Sequence, residues 1–249
     1  MVILFVDLLG VRSRWHSGGR EEAERAFLGL RNLVVAALNE AAPSQPTAGG
    51  LETDAATLVF PSAGQAIHAA TVLYRMAFSM VESARDERLW LRGAIVPLDP
   101  EQQLRTERPL SATYVAIKYH QYAGSLLDAI AIEKSGIKGM RLIIDSSLIS
   151  ERIRSRFRVP IGARYFIPFR RLNHSPYPPR IQLGYHDVLW MASGDDNEWT
   201  ARKQRMATRL RYSSQNPEEL LQAAATQVLF HECNAILHTL RRRDLRGGD

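Results

Sequence analysis

The chain opens on an unbroken apolar run, Val2-Ile3-Leu4-Phe5-Val6, that stops at Asp7. A strand with no polar alternation is one covered on both faces, so residues 1–8 are expected inside a sheet. Leu8-Leu9-Gly10-Val11 then turns the chain. Ala26, Leu30, Leu33, Val34 and Leu38 recur with helical spacing and predict a helix over 20–42. Pro43-Ser44-Gln45-Pro46 ends it, because proline cannot continue a helix. Two short strands around Asp54 read as a hairpin, a second amphipathic helix is expected over 62–85, and Leu89 to Val96 read as a strand.

The proline-rich, charged stretch 97–109 is expected to be a mobile loop. A third helix is predicted over 112–133, a turn over 134–139, and a strand from Met140 to Asp145. Strand, helix, hairpin, helix, strand, helix, strand is the order of a ferredoxin-like α/β sandwich, an α+β fold with an antiparallel sheet. That fold serves many functions, so the site must decide.

Past Asp145 the periodicity weakens. Residues 164–169 read as one more strand, and His174-Ser175-Pro176-Tyr177-Pro178-Pro179 as an irregular connection. Asn216-Pro217-Glu218-Glu219 has the composition of a helix start, and an amphipathic helix to about residue 242 follows, with Leu220, Leu221, Ala224, Val228, Leu229, Ile236 and Leu237 among its apolar positions. The division expected is a domain over 1–170 and a C-terminal helical extension over 171–249 packed on it.

Composition narrows the class. The 249 residues are 45% hydrophobic and 23% charged, as in an ordinary globular chain that buries a core. The net charge of +6 is spread along the sequence rather than gathered in a block, which disfavours a nucleic-acid-binding module while suiting an anionic substrate. Cys233 is the only cysteine, so no intramolecular disulfide forms and a reducing cytoplasm is the expected compartment. Nothing resembles a signal peptide or a membrane span, and no direct membrane association is expected.

Asp7 ends the first strand, and Asp54 lies within Gly49-Gly50-Leu51-Glu52-Thr53-Asp54-Ala55-Ala56-Thr57-Leu58-Val59-Phe60. If these segments are sheet neighbours, both carboxylates converge on one divalent cation, which offsets the cost of placing a carboxylate at a buried strand end. The bland alternative for Asp7 alone is a solvated or helix-capping acid. Arg92 reads equally well as an ordinary strand residue whose stem packs and whose head reaches water. His231-Glu232-Cys233 and His238 read as a buried thiol and exposed imidazoles of an amphipathic helix rather than metal ligands, Arg141 as structural, and Arg241-Arg242-Arg243 as a solvated helix end.

Four segments together resemble the class III nucleotidyl cyclases, and within them most closely the pyrimidine cyclases of bacterial anti-phage Pycsar systems. They are Phe5-Val6-Asp7-Leu8-Leu9-Gly10, Thr53 to Phe60, Leu91-Arg92-Gly93-Ala94-Ile95, and Asp128 to Glu133 followed by Met140 to Asp145. The resemblance covers most of the first 150 residues. It implies a reaction in which the ribose 3′-hydroxyl attacks the α-phosphorus of a nucleoside triphosphate, releasing pyrophosphate and a 3′,5′-cyclic monophosphate. It implies two Mg2+ or Mn2+ ions per active site, held by Asp7, Asp54 and the Leu8 carbonyl. The Leu9, Gly10 and Val11 amides would cradle phosphate oxygens.

The purine cyclases of this class carry an Asn and an Arg on the third helix for the transition state. Those places fall here on Leu127 and Ala131, or on Asp128 and Ile132 if the register slips by one, so Arg12, Arg92, Arg105 and Arg108 are the replacement candidates. The purine-reading residue four positions before the second metal aspartate is replaced by Gly50, which suits a pyrimidine. Gln121 has a donor and an acceptor to read its edge, or is simply an exposed helix side chain. The implied substrate is UTP, then CTP. The implied assembly is a homodimer whose active sites lie between subunits, one supplying Asp7 and Asp54 and its partner the 119–128 face, and the cyclic product would be sensed by a separate effector protein. Other readings are an adenylate or guanylate cyclase with an unusual pocket and a catalytically inactive nucleotide-binding regulator.

Overall fold

A computed structural model describes residues 1–79, 89–98, 106–109, 115–117, 123–134, 138–151, 153, 166–168, 185–191, 196–213 and 216–244. Strand β1 (Val2–Leu9) leads into helix α1 (Val11–Glu40), followed by β2 (Ala48–Leu51), β3 (Ala55–Phe60), α2 (Ala63–Ser79) and β4 (Trp90–Pro97). A ribbon of β5 (Thr106–Pro109) and β6 (Val115–Ile117) precedes α3 (Ala123–Lys134) and β7 (Leu142–Asp145), and β8 (Phe166–Pro168), β9 (Tyr185–Val188), α4 (Asp196–Ser213) and α5 (Pro217–Asp244) complete the chain.

Seven strands form one sheet in the order β2-β3-β1-β4-β7-β9-β8. The first four strands in space, β2-β3-β1-β4, are antiparallel throughout and are connected through α1 and α2 as in the ferredoxin-like α+β sandwich. β1 has partners on both sides, and its even and odd residues enter two cores. Val2, Leu4, Val6 and Leu8 join α1 and α2 on one face, whereas Ile3 and Phe5 join Ala94, Val96, Leu126 and Ala129 under α3 on the other. The predicted face of α1 is the buried one: Ala26, Leu30, Leu33, Val34 and Leu38 are all in the core. Each buried leucine there contributes roughly 1.5–3 kcal/mol relative to exposure.

Three boundaries differ from the sequence reading. Helix α1 begins at Val11 rather than residue 20, because the backbone is already helical after Gly10 and breaks only at Gly19, whose φ of 72° and ψ of −165° interrupt it. Within the expected loop 97–109, residues 106–109 pair with β6. The first half of the expected third helix contains that strand, Val115–Ile117, and the helix proper starts at Ala123. The pairing of β5 with β6 overrides local helical propensity there. The expected irregular connection at His174 to Pro179 lies outside the described residues.

Two elements after β8 were not foreseen, β9 and α4. β9 sits between β7 and β8, and Arg141 crosses from the start of β7 to bind Asp187 of β9 bidentately, with Nε 2.9 Å from Oδ1. Both side chains are buried, and burial pushes the Asp187 carboxyl above its ordinary range even though Arg141 favours its ionised form. Helix α4 reads as polar because its arginines carry it. Arg209 is fully buried, with its guanidinium 4.7 Å from the Trp90 ring centroid and hydrogen-bonded to the carbonyls of Leu89 and Ala77. Arg202 donates to the Met191 carbonyl at 2.5 Å, and Arg205 to Ser79 Oγ at 3.2 Å.

Helix α5 begins where its composition indicated: Asn216 Oδ1 accepts from the amides of Glu218 and Glu219 at 3.1 and 3.3 Å. It seats on the sheet through Gln222, which accepts from the Gly139 amide at 2.7 Å, and Thr226, which accepts from the Met140 amide at 2.9 Å. Gly139 has φ 85°, and a Cβ there would stand 2.7 Å from the Thr226 nitrogen, so glycine is what allows this approach. Cys233 is buried on this helix and His231 is exposed, as expected of an amphipathic helix. No helix among the described residues is long and apolar enough to cross a membrane.

Removing one partner of a buried ion pair strands the other charge. Asp187→Leu is expected to lower unfolding free energy by about 3–5 kcal/mol in urea titrations, and the same substitution combined with Arg141→Met by much less than the two single losses together. Additive losses in that cycle would show that the two side chains do not act as a pair.

Candidate functional site

The site begins with register. Asp7 of β1 lies opposite Ala55 of β3 on one side and Arg92 of β4 on the other. Opposed residues in an antiparallel pair stand about 5 Å apart, so Asp7 has a cation-bearing residue as a cross-strand neighbour and the residue after Asp54 as the other. One hydrogen bond ties the two aspartates' segments: the Leu8 amide donates to the Asp54 carbonyl at 2.7 Å. Asp54 itself occupies the bend between β2 and β3, where the Glu52 amide donates to the Ala55 carbonyl at 2.8 Å and Thr53 Oγ1 donates to Asp54 Oδ1 at 3.1 Å. Both aspartates are partly exposed, while the β1 and β3 residues that flank them are buried.

Alternation places Asp7 on the face of Ile3 and Phe5, and Arg92 on the face of Ala94 and Val96, so both belong to the α3 side of the sheet. Arg92 is buried. It is therefore a charge held inside the sheet beside Asp7 rather than a strand residue with its head in water. Beneath this pair, on the α2 side, stands Tyr74, whose hydroxyl donates to the Arg141 carbonyl at 3.0 Å. Complete burial pushes its phenol well above the ordinary value, Arg92 pulls it down and Asp7 pushes it up again. Tyr74 is thus a neutral donor within the field of both charges.

The turn after β1 is the second part of the site. Gly10 adopts φ 79° and ψ 10°, a left-handed conformation that strains any side-chain-bearing residue, and its carbonyl accepts from the Arg14 amide at 3.0 Å to open α1. Among the described residues no side chain caps this helix, and its first turn carries no acid. The first amides of a helix lack intrahelical partners, and together with the positive end of the helix dipole they suit an anion.

The other residues are distributed unevenly. Leu8 and Leu9 are buried in β1, Val11 is half-buried at the start of α1, and Gly50 is buried in β2, opposite Thr57 and on the strand against which β6 lies. Leu127 and Asp128 are exposed on α3, and Ala131 lies one turn further along it. Asp128 belongs to a different neighbourhood from Asp7: with Asp145 it raises the Tyr185 phenol, for which burial is the first cause. Gln121 and Arg105 lie outside the described residues, as do the side chains of Arg12 and Arg108. Tyr74 was not singled out from sequence, because a tyrosine on an apolar helix face looks like any core aromatic.

The donor chemistry suits a hard cation: two carboxylates and the backbone oxygen of the residue after Asp7 are the ligands such ions take. Among the described residues no group of three or more His, Cys, Asp and Glu gathers to hold a metal.

No protein-family model matches the chain, and no curated protein matches it. Solved structures similar to it include the guanylyl cyclase Cya2, at 12% identity and TM-score 0.45, with 78% of this chain and 92% of that one covered. The guanylate cyclase domain of RhGC from Catenaria anguillulae, in complex with GTP, is similar at 13% identity and TM-score 0.49, covering 75% and 94%. An adenylate cyclase from Trypanosoma brucei is similar at 10% identity and TM-score 0.48, covering 76% and 89%.

A cation held by this end of the sheet is expected to depend on both carboxylates. Mn2+ titrated into the protein with a nucleoside triphosphate present should bind at least tenfold more weakly to Asp7→Asn or Asp54→Asn, as removal of a hard ligand predicts. Paramagnetic resonance of bound Mn2+ reads this directly, and wild-type binding in both variants would remove the carboxylates from the ligand set.

Proposed function

We propose that the chain is a nucleotidyl cyclase that converts a pyrimidine nucleoside triphosphate, UTP before CTP, into its 3′,5′-cyclic monophosphate and pyrophosphate. The observation that carries this reading is the registration of Asp7 between Ala55 and Arg92, with the Leu8 amide bonded to the Asp54 carbonyl and an uncapped helix opening directly after. Two carboxylates beside a left-handed glycine and the amino end of a helix make a site suited to a triphosphate with its cations.

In this reading Asp7, Asp54 and the Leu8 carbonyl would hold two Mg2+ or Mn2+ ions, whose charge when bound would lower the pKa of the 3′-hydroxyl and offset that of the triphosphate. The amides at Leu9, Gly10 and Val11 bind phosphate oxygens and orient the triphosphate for in-line displacement. The 3′-oxygen bonds to the α-phosphorus, the bond from that phosphorus to the β-phosphate oxygen breaks, and the hydroxyl proton passes to water. Arg92, fixed beside Asp7, supplies permanent positive charge near the α-phosphate, where Leu127 and Ala131 supply none. Gly50 lacks the side chain with which the purine cyclases of the class it resembles read their base, which suits a pyrimidine.

The sequence resemblance extends the proposal to a homodimer with shared active sites, consistent with an exposed Leu127 on α3, and to a cyclic product that serves as a second messenger for a separate effector in anti-phage defence. A catalytically inactive nucleotide-binding regulator is the second reading, favoured by the apolar Leu127 where a transition-state donor would stand.

Incubating the purified chain with each of the four ribonucleoside triphosphates and Mn2+ or Mg2+, followed by mass spectrometry, separates these readings. Cyclic UMP is the expected principal product, with Asp7→Ala and Asp54→Ala each lowering its formation by roughly three orders of magnitude or more. A purine product would reassign the base, and binding without any cyclic product would establish the regulator.

A further inference from the structure

The turn proposed to cradle phosphates has a neighbour from the far end of the chain. Arg14, in the first turns of α1, lies with Nη2 3.5 Å from Glu219 Oε1 of α5, and both side chains are about 95% buried, with 6% and 5% exposed. The same glutamate packs against the turn itself: its Cγ is 3.9 Å from where a Cβ on Gly10 would stand. Glu219 is in turn held by the start of its own helix, where Asn216 Oδ1 accepts from its amide at 3.3 Å. Gln222 and Thr226 further along seat that helix on Gly139 and Met140.

Two features make this pair more than a core contact. Residues 11–18 are separated from the long arm of α1 by the non-helical Gly19, so the arm does not carry helical rigidity through to the turn. A fixed point beyond β1 is needed to orient the segment, and Arg14 is where α5 holds it. The second feature is sign. A buried carboxylate against Gly10 opposes any anion docking on the adjoining amides unless a cation neutralises it at short range, and Arg14 is that cation.

We propose that Arg14 and Glu219 are positioning residues, an ion pair through which the C-terminal helix fixes the β1–α1 turn and keeps its potential fit for a triphosphate. The proposal rests on reading that turn as the phosphate cradle. Helix α5 is then a working part of the triphosphate end of the site. Arg14 acts by neutralising Glu219 and holding the turn, and it need not touch the phosphates.

The charge logic gives an asymmetric cycle. Arg14→Met takes the cation 3.5 Å from the Glu219 carboxylate away and is expected to raise the triphosphate KM about tenfold, with a smaller change in kcat. Adding Glu219→Gln should bring KM back to within about threefold of wild type, because the repulsion is gone. A direct phosphate-binding arginine would not be rescued in this way. Unchanged KM in both single variants, or a double variant no better than Arg14→Met, overturns the proposal even where melting temperatures fall. Hydrogen exchange of residues 8–18 and calorimetric binding of inorganic tripolyphosphate read the same couple without cyclisation. Faster exchange and weaker tripolyphosphate binding in Arg14→Met, with recovery of binding in the double variant, support it. A wild-type chain that binds tripolyphosphate through this couple yet forms no cyclic nucleotide overturns the reaction alone, and one that binds no tripolyphosphate overturns both.

Discussion

Everything at the site depends on the hydrogen-bond register of β1 with its two antiparallel neighbours. β1 is buried on both faces and paired on both edges, so it has no freedom to slide: a one-residue slip would exchange the residues facing α1 and α2 for those facing α3. That constraint puts Asp7 opposite Ala55 and Arg92, and it brings the Leu8 amide to the Asp54 carbonyl. The chemistry proposed for the two aspartates is a consequence of how tightly the strand behind them is held. The same strand delivers the chain into Gly10, whose left-handed backbone starts α1 at the sheet end where Asp7 emerges.

The sheet is kept in one piece by charges placed where charges are ordinarily expensive. Arg141 and Asp187 join β7 to β9 inside the core, and Arg209 caps the end of α2 and the start of β4 while its guanidinium lies near Phe78 and Trp90. Each is tolerable only because several partners replace the water it lost. The arrangement gives specificity of position: an arginine that must meet carbonyls from two elements and two rings accepts few alternative docking modes. In this way the C-terminal helices become fixed relative to the sheet, and Glu219 can be presented to Gly10 and Arg14.

How far local reasoning reaches is seen element by element. Helix α2, β3, β4, β7 and the start of α5 follow from apolar periodicity, glycine and proline punctuation and a capping asparagine, all of them interactions within a few residues. The expected helix over 112–133 failed in its first half because 115–117 pair with 106–109, a partner that periodicity does not see. Helix α4 was missed for a related reason: a segment with Arg202, Arg205 and Arg209 reads as solvated until the carbonyls and the Ser79 hydroxyl that receive those guanidinium groups are known.

The amino-acid sequence by itself determined the ferredoxin-like order of elements, the buried central strand, the two aspartates and the glycine between strand and helix. The order and the buried strand are properties of local periodicity, and the aspartates and glycine stand out through the order of the four segments that resemble a known family. Only the tertiary structure decided that Arg92 stands beside Asp7, that Tyr74 lies in the field of both, that Asp128 belongs with Asp145 and Tyr185, and that Glu219 reaches the first turns of α1. Each of these joins residues far apart in sequence through strand register or a packed helix. No short-range signal encodes such a meeting, because its energy exists only once the elements between have been placed.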